Sequence, residues 1–214
     1  MTDLSSLLSS LLVLAAVYLA VLASPGPNFF ILSQMALDGR RSQARWVVLG
    51  LSTGSIVWVV LSIAGLSTLL GSHPWIAAAV RSLGAAYLVW YGSRLLRAAF
   101  APRQERPLGV HRVADPDSRL GAYRTGLLTG LTNPKGAAFW TSAFAAILPA
   151  GAPTWFLCAT VALVALLSLG WHLGITLVFG IPSLRATYLR FERAVNGVAG
   201  GALVMLGVHR FVAR

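Results

Sequence analysis

The chain has 214 residues, 57% of them hydrophobic and 11% charged, with a mean hydropathy of +0.73. A soluble domain averages about 45–50% apolar and about 25% charged, so these values exclude a water-soluble enzyme, a disordered tail and a disulfide scaffold. The net charge of +11 does not point to nucleic acid either, because nearly all the arginines lie between apolar runs, which in a membrane protein is a topology signal.

Six apolar stretches follow one another: 4–37, 46–70, 75–100, 123–148, 154–181 and 194–212. A bilayer crossing takes about 20 apolar residues, so the pattern predicts an all-α membrane protein with six transmembrane helices in one domain. The first stretch is longer than one crossing, and Pro25-Gly26-Pro27 interrupts it. Val21-Leu22-Ala23 resembles a signal cleavage site, but the first ten residues hold Asp3 and no Lys or Arg, and the apolar pattern runs on to Leu37. The first span is therefore expected to be retained.

The segments 38–45, 95–122 and 182–193 are basic, whereas 71–74 and 149–153 carry no Lys or Arg. With their flanks, the basic segments collect thirteen arginines on one side, against Arg81, Arg210 and Arg214 on the other. The positive-inside rule places the thirteen in the cytoplasm and both termini outside it. Pro102, Pro107 and Pro116 mark a linker, about 101–122, expected to be a flexible hinge between repeat one (about 1–100) and repeat two (about 123–214).

The halves echo each other. Each opens with a proline-broken helix, at Ser24-Pro25-Gly26-Pro27-Asn28 and at Thr132-Asn133-Pro134-Lys135. Each second span has glycines one turn apart, Gly50/Gly54 and Gly170/Gly174, and each third span sets a glycine before a basic or polar tail, Gly92 and Gly207. Three crossings per half give opposite orientations, so the expectation is two inverted three-helix repeats, the pattern of a secondary transporter.

Proline inside a span removes a donor and frees carbonyls, and such a break survives where it faces protein or a watery cavity. Pro25, Gly26, Pro27 and Asn28 therefore offer carbonyls at one half-helix end and amides at the next, the latter suited to a carboxylate. The alternative is a kink patched by Ser24 and Asn28. Lys135, the only lysine, falls about twelve residues into its apolar run, where a charge is expensive and functional by default. It could bind a carboxylate or cycle a proton; it could also pair with carbonyls freed by Pro134 or snorkel outward. Asn28 and Asn133 could orient a zwitterion or patch the breaks. His172 could carry a proton or join two helices by a hydrogen bond.

Gly50/Gly54, Gly126/Gly130, Gly170/Gly174 and Gly197/Gly201 are GxxxG pairs, expected to pack helices closely. Trp46, Trp75, Tyr87, Trp90, Tyr91 and Trp155 fall near span ends, where interfacial belts account for aromatics. No Asp or Glu lies deep in a span, no His/Cys cluster has metal-ligand spacing and no hydrolase motif occurs, so no cofactor, metal or enzymatic activity is expected. Membrane electron transfer would need two intramembrane cysteines, and Cys158 is alone.

Four stretches together carry a resemblance: Ser24-Pro25-Gly26-Pro27-Asn28; Gly39-Arg40-Arg41 leading to Gly50 and Gly54; Leu83-Gly84-Ala85-Ala86-Tyr87 through Arg97; and Gly126 through Asn133-Pro134-Lys135 to Trp140. With the glycines of the sixth span they cover most of the chain, and it resembles the lysine exporter (LysE/RhtB) family of bacterial amino-acid exporters. The resemblance implies a small inner-membrane exporter of amino acids or close derivatives, working by antiport against proton entry. Pro25, Gly26, Pro27, Asn133, Pro134 and Lys135 match the family's two signature breaks. Many members have an acidic residue where this chain has Ser55, which turns the expectation toward neutral substrates such as homoserine, threonine or branched aliphatics. Expected partners are an amino acid and membrane lipid, and a glycine face could carry a homodimer. The remaining alternatives are an exporter of another small metabolite and a non-transporting membrane assembly subunit.

Overall fold

The computed structural model describes residues 4–72, 74–101, 118–140, 144–149 and 151–212, and among these the regular structure is entirely helical. In chain order the helices are α1 (Leu4–Ala23), α2 (Pro27–Leu37), α3 (Arg41–Ser72), α4 (Pro74–Phe100), α5 (Arg119–Thr132), α6 (Pro134–Ala138), α7 (Phe144–Ile147), α8 (Thr154–Phe179) and α9 (Pro182–Val212). The hinge prolines Pro102, Pro107 and Pro116 lie outside the described residues, as do the side chains of Trp75, Arg81, Arg185 and Arg210.

Proline and glycine set the boundaries. Pro27 and Pro134 open α2 and α6, where the missing N–H costs no helical bond. Gly39, with φ +73°, ends α2. There the N–H of Arg40 reaches Met35 and that of Gly39 reaches Ala36, the paired bonds of a left-handed glycine terminator. Ser118 caps α5 by accepting from the Gly121 N–H at 3.0 Å, and Arg41 donates to the Gly180 carbonyl at the end of α8 at 2.8 Å, a favourable place for a cation.

Several helices run into the basic segments: α3 starts at Arg41, α5 at Arg119 and α9 at Pro182, well before residue 194. Arginine is a good helix former, so a helix need not end where apolarity ends. The second broken element is cut at Asn133, after which α6 passes into a π-helical turn at Phe139 and Trp140. Among the described residues, three helical segments are long and apolar enough to cross a membrane: Leu4–Ala23, Arg41–Gly65 and Thr154–Phe179.

Apolar side chains fill most of the interior, a strip of polar ones runs within it, and large apolar side chains also cover the outside. On α8 the buried face holds Thr160 and, two turns on, Ser168, His172 and Thr176 at one-turn intervals, while Leu166 and Leu177 are exposed. Leu12, Leu128, Val198 and Met205 are exposed as well. A soluble monomer seldom shows so much contiguous apolar surface; in a bilayer that surface faces lipid.

Glycines let two helix pairs approach at backbone distance. A Cβ on Gly50 would lie 2.1 Å from the Tyr123 carbonyl oxygen, and one on Gly126 would lie 2.1 Å from that of Val47, so α3 and α5 touch there. Gly92, Gly200 and Gly207 do the same for α4 and α9. Gly170, Gly174 and Gly201 meet nothing within 4 Å. The packing role expected of the GxxxG pairs thus holds for Gly50/Gly54 and Gly126/Gly130, tightest at Gly50 and Gly126 and at ordinary contact distance at Gly54 and Gly130. On α9 the close approach comes from Gly200 and Gly207, because helix phase and not the four-residue spacing decides which glycine faces a neighbour.

Candidate functional site

The break after α1 strips two carbonyls of their helical donors. Val21 would be served by the N–H of residue 25 and Ala23 by that of residue 27, but both are proline and have none. The Ser24 hydroxyl donates to the Val21 carbonyl at 3.1 Å, a local patch of the kink, and further donors come from far along the chain. Lys135 donates to the Val21 carbonyl at 2.8 Å, and the Tyr188 hydroxyl donates to that of Ala23 at 3.2 Å.

The Lys135 ammonium also donates to the Ser24 carbonyl at 2.8 Å and to the Ser24 hydroxyl at 3.1 Å. An ammonium has three protons, and all three are taken by the broken end of α1. Ser24 is buried and hydrogen-bonded to the Tyr91 hydroxyl. Tyr87, one turn earlier on α4, donates to the Lys135 carbonyl at 3.3 Å. Gly26 makes the approach possible: a Cβ there would lie 3.2 Å from Nζ and 3.3 Å from Cε of Lys135.

The second break is built around Asn133. Its side-chain oxygen accepts from the Lys135 N–H at 3.0 Å and caps α6. Its amide nitrogen donates to the Asn28 side-chain oxygen at 2.9 Å. One residue therefore starts a half-helix and joins it to the start of α2. Both breaks meet here: Lys135 reaches the carbonyl end of α1, and Asn133 the amide end of α2.

These groups open onto a cavity of about 40 Å³, whose wall includes Asn28, Asn133, Lys135, Tyr18, Ser55 and His172. That volume holds a few ordered waters and is too small for an amino acid, so entry of one requires the walls to part. Among the described residues no Asp or Glu lines it. Behind Ser55 lies a neutral polar cluster. The Ser168 hydroxyl is 3.2 Å from that of Ser55, 3.4 Å from that of Ser52 and 3.2 Å from His172 Nδ1.

The structure thus gathers Asn28, Asn133, Lys135 and His172 around one cavity and puts Gly26 against the lysine. Pro25, Pro27 and Pro134 are not among the lining residues; they make the breaks. Lys135 pairs with carbonyls freed by Pro25, in the other half of the chain, and not with those freed by its neighbour Pro134. Two aromatics expected in interfacial belts belong to the site: Tyr87 and Tyr91 stack on each other and bond to Lys135 and Ser24. Trp90 and Trp155, in contrast, are exposed. Sequence reasoning missed Tyr18, Tyr188 and Ser168; their only signal is a polar group inside an apolar run.

The family model "LysE type translocator" matches residues 19–213. A threonine efflux protein of Salmonella typhi is 30% identical over 200 residues, covering 94% of this chain and 96% of the relative. The threonine efflux protein of Escherichia coli (strain K12) is 29% identical over 203 residues, covering 95% and 98%. A leucine efflux protein of Klebsiella pneumoniae is 30% identical over 134 residues, covering 63% and 61%. No solved structure matches the chain.

Proposed function

Because the chain belongs to the LysE type translocator family, a family of transporters and not of enzymes, we propose that it exports neutral amino acids from the cytoplasm across a bacterial inner membrane. The observation that carries this reading is the Lys135 ammonium seated on the carbonyl end of the other broken helix, beside a cavity that no carboxylate among the described residues lines. A cationic side chain would find no counter-charge there, and a zwitterion's carboxylate finds a cation. The relatives named for threonine and leucine efflux support the same substrate class.

In this mechanism the six apolar stretches form two inverted repeats with both termini outside the cytoplasm. The substrate carboxylate replaces the Val21 and Ser24 oxygens on Lys135, and the tie between the halves is released as the tie to substrate forms. Binding energy is thereby spent on a structural change, the requirement for coupling occupancy to opening. Asn28 and Asn133 orient the zwitterion without adding charge. Proton entry drives the cycle, with Lys135 and His172 as the titratable groups at the cavity.

The test is transport into inside-out vesicles containing the protein, with a panel of labelled amino acids and an imposed pH gradient. Gradient-dependent uptake of a neutral amino acid, lost in Lys135→Ala with the protein still in the membrane, is the expected result. Uptake that is indifferent to Lys135→Ala would remove Lys135 from the mechanism, and no uptake across the panel would remove the substrate class.

A further inference from the structure

Counting protons in the cluster behind Ser55 fixes the state of His172. The Ser55 hydroxyl donates to the Leu51 carbonyl at 3.2 Å, and a carbonyl only accepts. Ser168 lies 3.2 Å from Ser55, 3.4 Å from Ser52 and 3.2 Å from His172 Nδ1. Three hydroxyls bring three protons to these four hydrogen bonds, so the fourth has to come from Nδ1. His172 Nδ1–H and Ser52 then donate to Ser168, Ser168 donates to Ser55, and Ser55 to Leu51. All four side chains are buried, where polar groups are kept satisfied. Nε2 of His172 is left without a proton, as a bare acceptor.

That nitrogen has no protein partner among the described residues, yet it is not sealed off: the sealed and unpaired side-chain atoms among them belong to Tyr18, Trp58 and Asn196. The space it reaches is the cavity that His172 lines together with Lys135. Among the described residues, Lys135 is the one other cationic group on that wall, and Tyr18, from α1, is the one further titratable group; α2 and α3 contribute the uncharged Asn28 and Ser55. On α9 the Tyr188 hydroxyl is turned to the Ala23 carbonyl. A zwitterion needs an acceptor for its ammonium as well as a cation for its carboxylate. No carboxylate among the described residues offers one, and the side-chain oxygens of Asn28 and Asn133 already accept. The bare Nε2 is the most basic acceptor left.

We infer that His172 Nε2 takes the ammonium of the exported amino acid and the driving proton in turn, so that substrate and proton exclude each other from one nitrogen. The inference rests on the export proposed above and says how its two fluxes are exchanged. Bound substrate donates one N–H of its ammonium to Nε2 while its carboxylate meets Lys135. Protonation at Nε2 turns the acceptor into a donor and sets an imidazolium against an ammonium, so the amino acid leaves with all of its own protons. The added proton comes from the outer water. Once the site faces inward it passes to the cytoplasmic water, and the next ammonium takes its place. Ser168 is a positioning residue: it holds the Nδ1 proton, which leaves Nε2 as the bare nitrogen. Mutual exclusion at one site is a negative coupling between two ligands, the coupling that antiport needs.

The test is exchange of labelled for unlabelled threonine in proteoliposomes holding the full chain, at equal pH on both sides. Between about pH 8 and pH 5 threonine keeps its charges, whereas a histidine in a cavity opened to water titrates. Lowering the pH across that range is expected to raise the wild-type KM at least about threefold with the maximal rate unchanged, as competition between proton and substrate requires. Loss of charge on Lys135 would act the other way, raising KM as the pH rises. His172→Gln keeps an uncharged acceptor and takes no proton. It is expected to exchange threonine with a KM indifferent to pH and to lose accumulation driven by a pH gradient. Ser168→Ala is expected to raise KM several-fold at pH 8 and to keep the pH dependence. If His172→Gln folds or exchanges poorly, the pH profile of the wild-type KM decides alone. A flat wild-type profile, or gradient-driven accumulation that persists in His172→Gln, would overturn the inference and leave amino-acid export intact. Exchange of neither threonine nor leucine by folded wild type would instead overturn the export reading, and the inference with it.

Discussion

Val21 and Lys135 stand 114 positions apart, and the carbonyl of one accepts from the ammonium of the other at 2.8 Å. Pro25 makes that carbonyl available, because it has no N–H to close the last turn of α1. Lys135→Ala takes the ammonium from the Ser24 carbonyl and leaves the Val21 carbonyl with the Ser24 hydroxyl alone, and a buried acceptor left unsatisfied costs about 1–3 kcal/mol. The expected outcome is a lower thermal midpoint in detergent together with loss of export by about tenfold or more. Lys135→Arg is expected to fail as well: a planar guanidinium cannot aim three protons as a compact ammonium does, and Gly26 leaves no space beside it.

Gly26→Ala tests the space directly. The backbone of Gly26 is extended, with φ −167°, so alanine meets no conformational penalty. Its Cβ would nonetheless lie 3.2 Å from Nζ, and Lys135, held by three hydrogen bonds, cannot shift without lengthening one. Export is expected to fall several-fold with a stability loss of about 1 kcal/mol, measured by vesicle uptake alongside thermal unfolding. An unchanged export rate would show that the lysine moves freely in the functional cycle.

Asn133 has two separable duties. Asn133→Ser keeps an oxygen to cap α6 and loses the amide that reaches Asn28, whereas Asn133→Ala loses both. The serine variant is expected to retain most of its stability, the alanine variant to lose about 1 kcal/mol more, and both to export poorly. Asn28→Leu should reproduce the export defect with α6 still capped.

The glycine contacts give a contrast within one residue type. Gly50→Ala and Gly126→Ala each drive a methyl to 2.1 Å from a backbone oxygen, which α3 and α5 relieve only by separating. A loss of about 1–3 kcal/mol or more is expected for each. Gly170→Ala and Gly174→Ala find nothing within 4 Å and are expected to leave the thermal midpoint unchanged or slightly raised, since alanine favours helix over glycine.

The two breaks, the lysine and the asparagines were legible in the sequence because each is a local exception. A proline lacks a donor wherever it sits, and a lysine in an apolar run needs a partner whatever the fold. The identity of that partner was not legible: nothing near Lys135 in the chain announces that Val21 and Ser24 will hold it. Tyr87 and Tyr91 were assigned to a lipid belt because distance along a span is visible in sequence and helix phase around the bundle is not. The close approach at Gly200 and Gly207 was hidden for the same reason, since glycine spacing does not say which face of α9 meets α4. The start of α9 at Pro182 was hidden by arginines, which mark the edge of a membrane but not the end of a helix.

Lys135 is the only lysine in the chain, and its amine is occupied by three oxygens when the two broken helices are joined. A small membrane-permeant acylating reagent therefore finds one side-chain amine, and finds it reactive only when those oxygens have let go. The acylation rate of this single position, followed by intact mass with and without substrate, turns the residue that holds the halves together into a clock for how often they come apart.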